Sequence, residues 1–462
     1  SRSGGYCKGV KNRRFHNGYS WFGDIVLVFC IRNILMGFAV IGVLSACENV
    51  LKITGGSTET QAVTFAAGKG AFERNILAHH PLQAARKTAQ AQAFAVTELR
   101  AGRATQIGLS GTAGVAAGDD QDGAKTALSV TASASRLLAD GGRLQAQIDA
   151  ALIAQDQAVL EYALQGNTFL TDLLNAVVTI RSANATISTI DRNLAQYRKR
   201  EPQINAAARQ GILTNSDLIE IRTVKSQIET QRLESVLALK TAQTQLQSFL
   251  SASAQRTLTA RFARASNASL KRAPNFVAQA QGLGADQFGA KARTAALANK
   301  STLQTVAQVT LPAADETGID VFAGVQWNWT VSDGGARAAA ARRLELQREA
   351  AELVQENTVR TTKLAGQSLR VARQIGDDRR QALQDRIALS KSRLAEFETL
   401  LRAGRADVAS IARELLAGAE AEIGLTALAS ELSLQQISTF SAKGAACALV
   451  QMCDVFELRT QK

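Results

Sequence analysis

The chain has 462 residues, a formal net charge of +13, only 4 prolines and an aromatic content of 5%. So few aromatic residues are unusual in the compact core of an enzyme, and abundant alanine, glutamine, leucine and arginine favour helix. Basic and acidic residues alternate along the predicted helices, as on solvated faces, so nothing predicts nucleic-acid binding. The sequence has no P-loop, dinucleotide-binding fingerprint or nucleophile elbow, and its histidines (His16, His79 and His80) have no partners at metal-ligand spacing. We therefore expect no enzyme, no cofactor and no metal site.

Residues 1–46 are predicted to be a leader. Basic residues precede Ile34–Ala46, an apolar run that is too short to span a bilayer as a helix but suits a signal peptide. The run ends in Leu44-Ser45-Ala46-Cys47, which resembles a bacterial lipobox and predicts lipidation of Cys47. The alternative is an ordinary signal peptide cut nearby. Residues 47–76 are predicted to be an extended N-terminal segment.

The rest of the chain is predicted to be an internal duplication. An alternating run that ends in Asp-Gly-Gly occurs twice, as "LSVTASASRLLADGGR" and as "VFAGVQWNWTVSDGGAR". Three landmark pairs share one offset of 193 residues: Pro81 and Pro274, Asp140 and Asp333, and Gly211 and Gly404. These pairs predict a first structural repeat over 77–255 and a second over 256–440, followed by a C-terminal tail over 441–462. Cys447 and Cys453 lie close together in that tail and could pair after export.

Each repeat is predicted to begin with a helix and a β-hairpin. In the first repeat, Pro81–Gly102 has helical spacing, and apolar and polar residues then alternate along two strands. In the second, Val321–Val331 places Trp327 and Trp329 on the apolar face. Such strands fit a transmembrane β-barrel in which these tryptophans anchor the membrane interface. A half-buried hairpin of a soluble protein alternates in the same way and is the alternative.

A long antiparallel helical pair is predicted to follow each hairpin. Asp140 to Gly211 spans 71 residues (211 − 140), which corresponds to about 100 Å of helix at 1.5 Å per residue. The returning helix carries seam positions at Ile221, Ile228, Leu233 and Leu237. The strand–helix junctions are predicted to combine an aspartate cap with a glycine-permitted turn. The residues concerned are Asp140, Gly141, Gly142, Asp333, Gly334 and Gly335.

The fold class follows from the need to close the sheet. Two hairpins give four strands, whereas the smallest membrane barrels have about eight. Open edges in lipid would leave backbone groups unpaired at a cost of several kcal/mol each. We therefore predict a mainly α protein with a transmembrane β-barrel portion, in which three copies supply twelve strands (3 × 4) above an α-helical barrel.

The sequence resembles the TolC-like outer membrane factor family. The resemblance rests on the two Asp-Gly-Gly junctions with the arginines that follow them, and on "GILTNSDLIEIR" from Gly211 to Arg222. The lipobox matches lipidated members, and the resemblance covers about residues 77–438. It implies a homotrimeric channel that runs from the outer membrane into the periplasm and docks on a periplasmic adaptor and an inner-membrane transporter.

The resemblance also implies a gate at the periplasmic tip, where the helices reverse. The candidate gate residues are Ser216, Asp217, Arg405, Asp407, Ser410 and Arg413. Members of the family can carry two aspartates six and nine residues after the second reversal glycine, whereas this chain has Ser410 and Arg413 there. An acidic ring at the tip is therefore in doubt. The alternative is that the aspartates are ordinary helix-capping acids.

We expect a passive, lipid-anchored outer membrane channel of a tripartite efflux system that exports small molecules. The outer membrane component of type I protein secretion is an alternative within the same family. A soluble periplasmic coiled-coil adaptor or scaffold is an alternative of another class. Trp327 and Trp329 separate these classes, because they face lipid in a channel and lie in the core of a soluble protein.

Overall fold

Two matching sets of helices and strands follow each other along the chain. The computed structural model describes residues 65, 68, 70–116, 125–265, 272–297, 301–311, 320–403 and 408–456, all within the unit that begins at residue 58. The first set is α1 (Ala71–Leu77), α2 (His80–Ala101), β1 (Gln106–Ala116), β2 (Lys125–Ala139), α3 (Arg143–Arg209) and α4 (Asn215–Phe249). The second set is α5 (Ala252–Arg264), α6 (Phe276–Leu297), β3 (Ser301–Leu311), β4 (Asp320–Trp329), α7 (Ala336–Arg402) and α8 (Val408–Ser441). Two 3₁₀ turns, Ala446–Val450 and Cys453–Val455, close the described part.

The lengths of these elements confirm the predicted fold class. Helices α3 and α7 each have 67 residues, and both their first and last residues are 193 positions apart (336 − 143 and 402 − 209). Helices α2 and α6 each have 22 residues. Helix α5 spans the predicted boundary between the repeats. Among the residues that the structure describes, no helix combines the length and apolar character needed to cross a membrane.

The four strands form one antiparallel sheet in the order β1-β2-β3-β4. Directly paired residues point to the same face, so the register defines two faces. One face carries Ile107, Leu109, Ala132, Ala134, Leu303, Val309, Val321, Ala323, Val325, Trp327 and Trp329. The other carries Ser110, Ser133, Gln304, Gln308, Gln326 and Asn328, together with Val306 and Phe322. Strands β1 and β4 are the open edges of the sheet.

The helices pack side by side in an order that also leaves two edges. Helix α3 lies between α2 and α6, and farther from the sheet it lies between α4 and α8. Helix α7 packs on α6 and α8. The largest cluster of buried residues joins α1, α3, α5, the ends of α4 and α8, and the C-terminal turns. A second cluster lies near the helix reversals, where α3 and α4 meet α8.

The structure corrects two expectations, at the N-terminal segment and at α4, and shows in addition that the C-terminal tail belongs to the core. The segment expected to be extended as far as residue 76 ends in helix α1, because Phe72 and Ile76 share one buried helical face. The C-terminal tail is buried in the main core as far as Phe456. Leu233 and Leu237 do not join Ile221 and Ile228 in the seam of the helical pair. Both are exposed, because α4 carries apolar residues on two faces and the chain buries only one of these faces.

Candidate functional site

The two strand–helix junctions use the same local chemistry. Gly141 and Gly142 have φ angles of 66° and 87°, and Gly334 and Gly335 have φ angles of 64° and 85°, all in the left-handed region that favours glycine. In the second junction Asp333 accepts hydrogen bonds from the backbone N–H of Gly335 and of Arg337, both at 3.1 Å. Asp140 caps α3 through the N–H groups two and four residues ahead in the same way. Both long helices therefore begin with the same aspartate cap and glycine turn.

The first helix reversal is closed by a capping box at the start of α4. Gly211 has a φ angle of 71°, and Ile212 donates its N–H back to the carbonyl of Ala207 at 3.0 Å. Thr214 accepts from the N–H of Asp217 at 3.1 Å, and its hydroxyl donates to the Asp217 carboxylate at 2.7 Å. The capping role that the sequence offered as the alternative for Asp217 is thus present in the structure.

The Asp217 carboxylate also links the first repeat to the second. The Arg413 guanidinium of α8 donates to Asp217, and its Nε lies 3.2 Å from a carboxylate oxygen of Glu220. The hydrogen bond from the Thr214 hydroxyl, followed by the Thr214 N–H and the Arg413 charge, holds the pKa of Asp217 below its usual range. Asp217 therefore stays ionised and available to Arg413 at neutral pH. We name Asp217, Glu220 and Arg413 the tip cluster.

Trp327 and Trp329, the candidates for the membrane interface, lie together at the end of β4 that leads into α7. The rings of Trp327 and Trp329 stack with centroids 5.9 Å apart, and their exposed fractions are 66% and 60%. Strand β4 is exposed along almost its whole length. An apolar face, a polar face and two open edges are therefore all accessible in a single chain.

Solved structures identify the fold. No protein-family model matches the sequence, and no curated protein matches it. The outer membrane protein VceC from Vibrio cholerae matches with a TM-score of 0.66 at 15% identity, covering 80% of this chain and 95% of that chain. The CmeC outer membrane channel of Campylobacter jejuni matches with 0.66 at 9% identity, covering 81% and 85%. The MtrE outer membrane channel of Neisseria gonorrhoeae, in its open state, matches with 0.61 at 15% identity, covering 81% and 88%.

The chain has the fold of the TolC-like outer membrane channels. The solved structures that share this TolC-like fold are channel proteins and not enzymes. Within the fold, Ser216 lies exposed in the first turn of α4, and Ser410 lies in the first turn of α8. Cys47, Arg405 and Asp407 lie outside the described residues.

The sequence analysis did not single out Glu220, which the structure places beside Arg413. A signal was present, because Glu220 and Arg413 are 193 residues apart and therefore occupy duplicated positions (413 − 220). Opposite charges at equivalent positions of two repeats can pair wherever the repeats meet. Thr214 was also missed, although a threonine three residues before an acid is the signature of a capping box.

Proposed function

We propose that three copies of this chain form a passive export channel in the bacterial outer membrane. In this proposal the channel docks on a periplasmic adaptor and an inner-membrane transporter, which supplies the energy to expel small molecules. One observation carries the proposal: the sheet and the helical layers of a single chain both end in open edges, and these edges lie on corresponding sides.

The correspondence follows from the connections between the elements. Helix α2 leads into β1 and β4 leads into α7, so one side of the chain presents β1 with α2 and the other presents β4 with α7. A neighbouring copy can therefore pair with the sheet and pack on the helices by the same rotation. Four strands do not close a barrel, whereas three copies give twelve (3 × 4), within the range of known membrane barrels.

Exposed apolar residues support the same contact between helices. Ile219 and Leu233 lie two heptads apart on α4, and both are exposed. On α7, Leu346 and Leu353 are one heptad apart, as are Leu364 and Val371, and all are exposed in a single chain. Apolar residues at heptad spacing form a coiled-coil seam when a partner helix covers them. We assign that partner to the next copy of the chain.

The two faces of the sheet support a membrane position. In the proposed barrel the face with Val325, Trp327 and Trp329 contacts lipid, and the face with Gln326 lines the lumen. The tryptophans lie where the barrel meets the helices, a depth at which such side chains anchor at the interface. A soluble adaptor or scaffold would bury them, so their exposure favours the channel.

Neighbouring residues of β4 provide a matched test of this assignment. Val325→Lys places a charge on the proposed lipid face and should destabilise the trimer, by an amount between about 0–1 kcal/mol at the interface and about 2–4 kcal/mol at the bilayer midplane. Gln326→Lys places the same charge in the lumen and should leave the trimer intact while shifting ion selectivity. Heat-resistant trimer on gels and single-channel recordings in planar bilayers report the two effects. Equal tolerance of both lysines would contradict the barrel orientation.

The tip cluster supports the proposed periplasmic gate. Because Glu220 and Arg413 occupy duplicated positions, a ring of three copies would alternate the two charges around the tip. Each Arg413 would then lie between the Glu220 of its own chain and the Glu220 of the next. Such a ring restrains the helix reversals through opposite charges in place of an acidic ring. Ser216, Arg405, Asp407 and Ser410 stay in the proposal as polar residues of the same tip.

The remaining parts of the proposal concern the anchor and the cargo. Lipidation of Cys47 would attach each copy to the outer membrane, with the helical pairs in the periplasm. Mass spectrometry of the mature N-terminus tests this, because an unmodified residue there would contradict an anchor. Deletion of the protein should sensitise cells to small toxic compounds. Loss of a secreted protein without such sensitivity would instead indicate type I secretion.

The decisive experiment for the channel is imaging of the detergent-purified protein together with its mass. A trimer with threefold end views and helices on the order of 100 Å long is expected. A monomer that needs no detergent would overturn the channel and favour the soluble adaptor.

A further inference from the structure

The C-terminal segment of the described chain is closed by a disulfide and packs into the core. Residues 445–456, which we name the C-terminal clasp, contain the two 3₁₀ turns. Cys447 and Cys453 form a disulfide with their Cα atoms 4.9 Å apart. Cys447 is 0% exposed, whereas Cys453 is partly exposed. The clasp residues buried with Cys447 are Ala445, Ala446, Leu449, Val450, Met452, Val455 and Phe456.

Helix α3 carries a receiving site for the clasp. Asn167 is 1% exposed; its Oδ1 accepts the N–H of Cys447 at 2.8 Å, and its Nδ2 donates to the Ala163 carbonyl at 2.8 Å. A Cβ atom added at the preceding Gly166 would lie 2.3 Å from the ring of Phe456. Glycine and asparagine are poor residues for a helix interior. Their place in the middle of α3 is explained by the clasp that packs there.

The clasp also joins distant parts of the chain. Arg261 of α5 donates to the Val450 carbonyl at 3.3 Å and to the Glu73 carboxylate of α1 at 3.1 Å. One arginine thus connects α1, α5 and the clasp. The largest core cluster is complete only when the clasp is docked, because eight of its buried residues belong to the clasp.

A covalent closure suits this segment because its local structure is weak. The 3₁₀ turns have poor hydrogen-bond geometry and contribute little stability by themselves. Gln451, between the two cysteines, has a φ of 54°, a left-handed conformation that a residue with a side chain rarely adopts. A disulfide restricts the open chain and favours this compact form.

We propose that Cys447 and Cys453 are a modification site for a thiol–disulfide oxidant, and that their closure precedes docking of the clasp on Gly166 and Asn167. The order follows from the weak local structure of the clasp, because the closed disulfide loop has fewer open conformations from which it must dock. The Cys453 thiolate attacks the disulfide of the oxidant and forms a mixed disulfide, which releases one oxidant thiolate. The Cys447 thiolate then attacks the Cys453 sulfur and releases the second. Overall two protein thiols lose two protons and two electrons, and the two released thiolates take up the protons, so that the oxidant disulfide is reduced to two thiols. This inference is independent of the proposed channel function.

Refolding of the full chain tests the order of events. Reduced, denatured protein is refolded in detergent with or without oxidised glutathione. Hydrogen exchange is quenched in acid, and the peptic peptides that contain Cys447 and Cys453 are followed by mass spectrometry. With the oxidant we expect a closed peptide that is protected from exchange, and without it an unprotected peptide. Equal protection of a reduced peptide would overturn the proposal.

A glycine pair tests the coupling between closure and docking in the folded protein. Gly166→Ala should loosen the docked clasp and speed reduction of the disulfide by dithiothreitol roughly tenfold or more, because overpacking favours local opening. Gly284→Ala in α6 is the matched control, since a Cβ there meets nothing within 4 Å. Its reduction rate should equal that of the unaltered protein. An unchanged rate in Gly166→Ala would contradict docking at this site.

Discussion

Helices α3 and α7 occupy duplicated positions and have equal lengths, yet many more residues are buried on α3 than on α7. Of the 67 residues of α3, 23 are buried. On α7 only four of the residues whose burial is described are buried: Thr362, Leu369, Gly376 and Ser390. Helix α7 also contains 12 arginines, whereas α3 contains six. The difference has a positional cause, because α3 has neighbours on two sides within the chain and α7 lies at the edge.

This contrast separates two kinds of information in the repeats. Helix lengths and the Asp-Gly-Gly junctions are duplicated because both repeats must leave the sheet and reverse at the same distances. Surface residues have diverged because α3 lies inside the helical layer, whereas α7 lies at its edge. The four buried residues of α7 are separated by seven, seven and fourteen positions, so they lie along one narrow stripe of the helix. The rest of its surface is left for neighbours outside the chain or for solvent.

A pair of duplicated leucines gives the largest expected effect. Leu160 of α3 is 7% exposed, and Leu353, 193 residues later, is 66% exposed. Leu160→Ala should destabilise the folded chain by about 2–5 kcal/mol, because it opens a cavity in the core. Leu353→Ala should change stability of the single chain by no more than about 0.5 kcal/mol. Circular dichroism during denaturation in detergent measures both.

Charged replacements at the same pair sharpen the comparison. Leu353→Asp should leave helix content unchanged and lower the fraction of trimer in native mass spectrometry, since it places a charge in the proposed seam between copies. Leu160→Asp should prevent folding altogether. A stable trimer with Leu353→Asp would show that this face of α7 meets solvent.

The tip cluster gives the next effect, because the repeats differ there in the sign of one charge. Arg413→Glu places three carboxylates together on Asp217, Glu220 and the new side chain. We expect the proposed gate to loosen and single-channel conductance to rise. Unfolding temperature should change little, since exposed ion pairs contribute little to stability.

A charge exchange controls for non-specific damage at the tip. Glu220→Arg combined with Arg413→Glu restores opposite charges at the duplicated positions and should return conductance towards its original value. Asp217→Ala removes one acceptor but keeps Glu220, so its increase in conductance should be smaller than that of Arg413→Glu. If the double variant conducts like Arg413→Glu alone, pairing between the repeats does not hold the tip.

The sequence predicted the duplicated elements well because their signals are local or strictly spaced. The matched lengths of the long helices, the Asp-Gly-Gly junctions and the alternation around Trp327 are all present in the described residues. Contacts across the fold were harder to predict. Whether Leu233 faces its own pair or a neighbour depends on which side of α4 is covered, and helical periodicity is the same in both cases. The clasp has no periodicity at all, and its burial depends on a receiving site at Gly166 that lies 281 residues earlier than Cys447 (447 − 166).

The smallest predicted effect concerns the joint between α2 and α4, where the repeats differ in a titratable residue. His79 stacks on Phe169 at a centroid distance of 3.8 Å and meets Phe249 edge-on at 5.2 Å, whereas the duplicated position holds Arg272 (272 − 79 = 193). Burial, followed by the charge of His80, lowers the pKa of His79 from its ordinary value of 6.5. The neutral ring therefore stabilises the joint above pH 6.5, and this contribution is lost as the pH falls through the lower folded pKa.

Hydrogen exchange should rise in acid at the α2–α4 joint of the unaltered protein but much less in His79→Phe, because phenylalanine keeps the stacking without a proton site. The joint beside Arg272 should show no such acid response, and the same acid response in His79→Phe would assign the effect to another group.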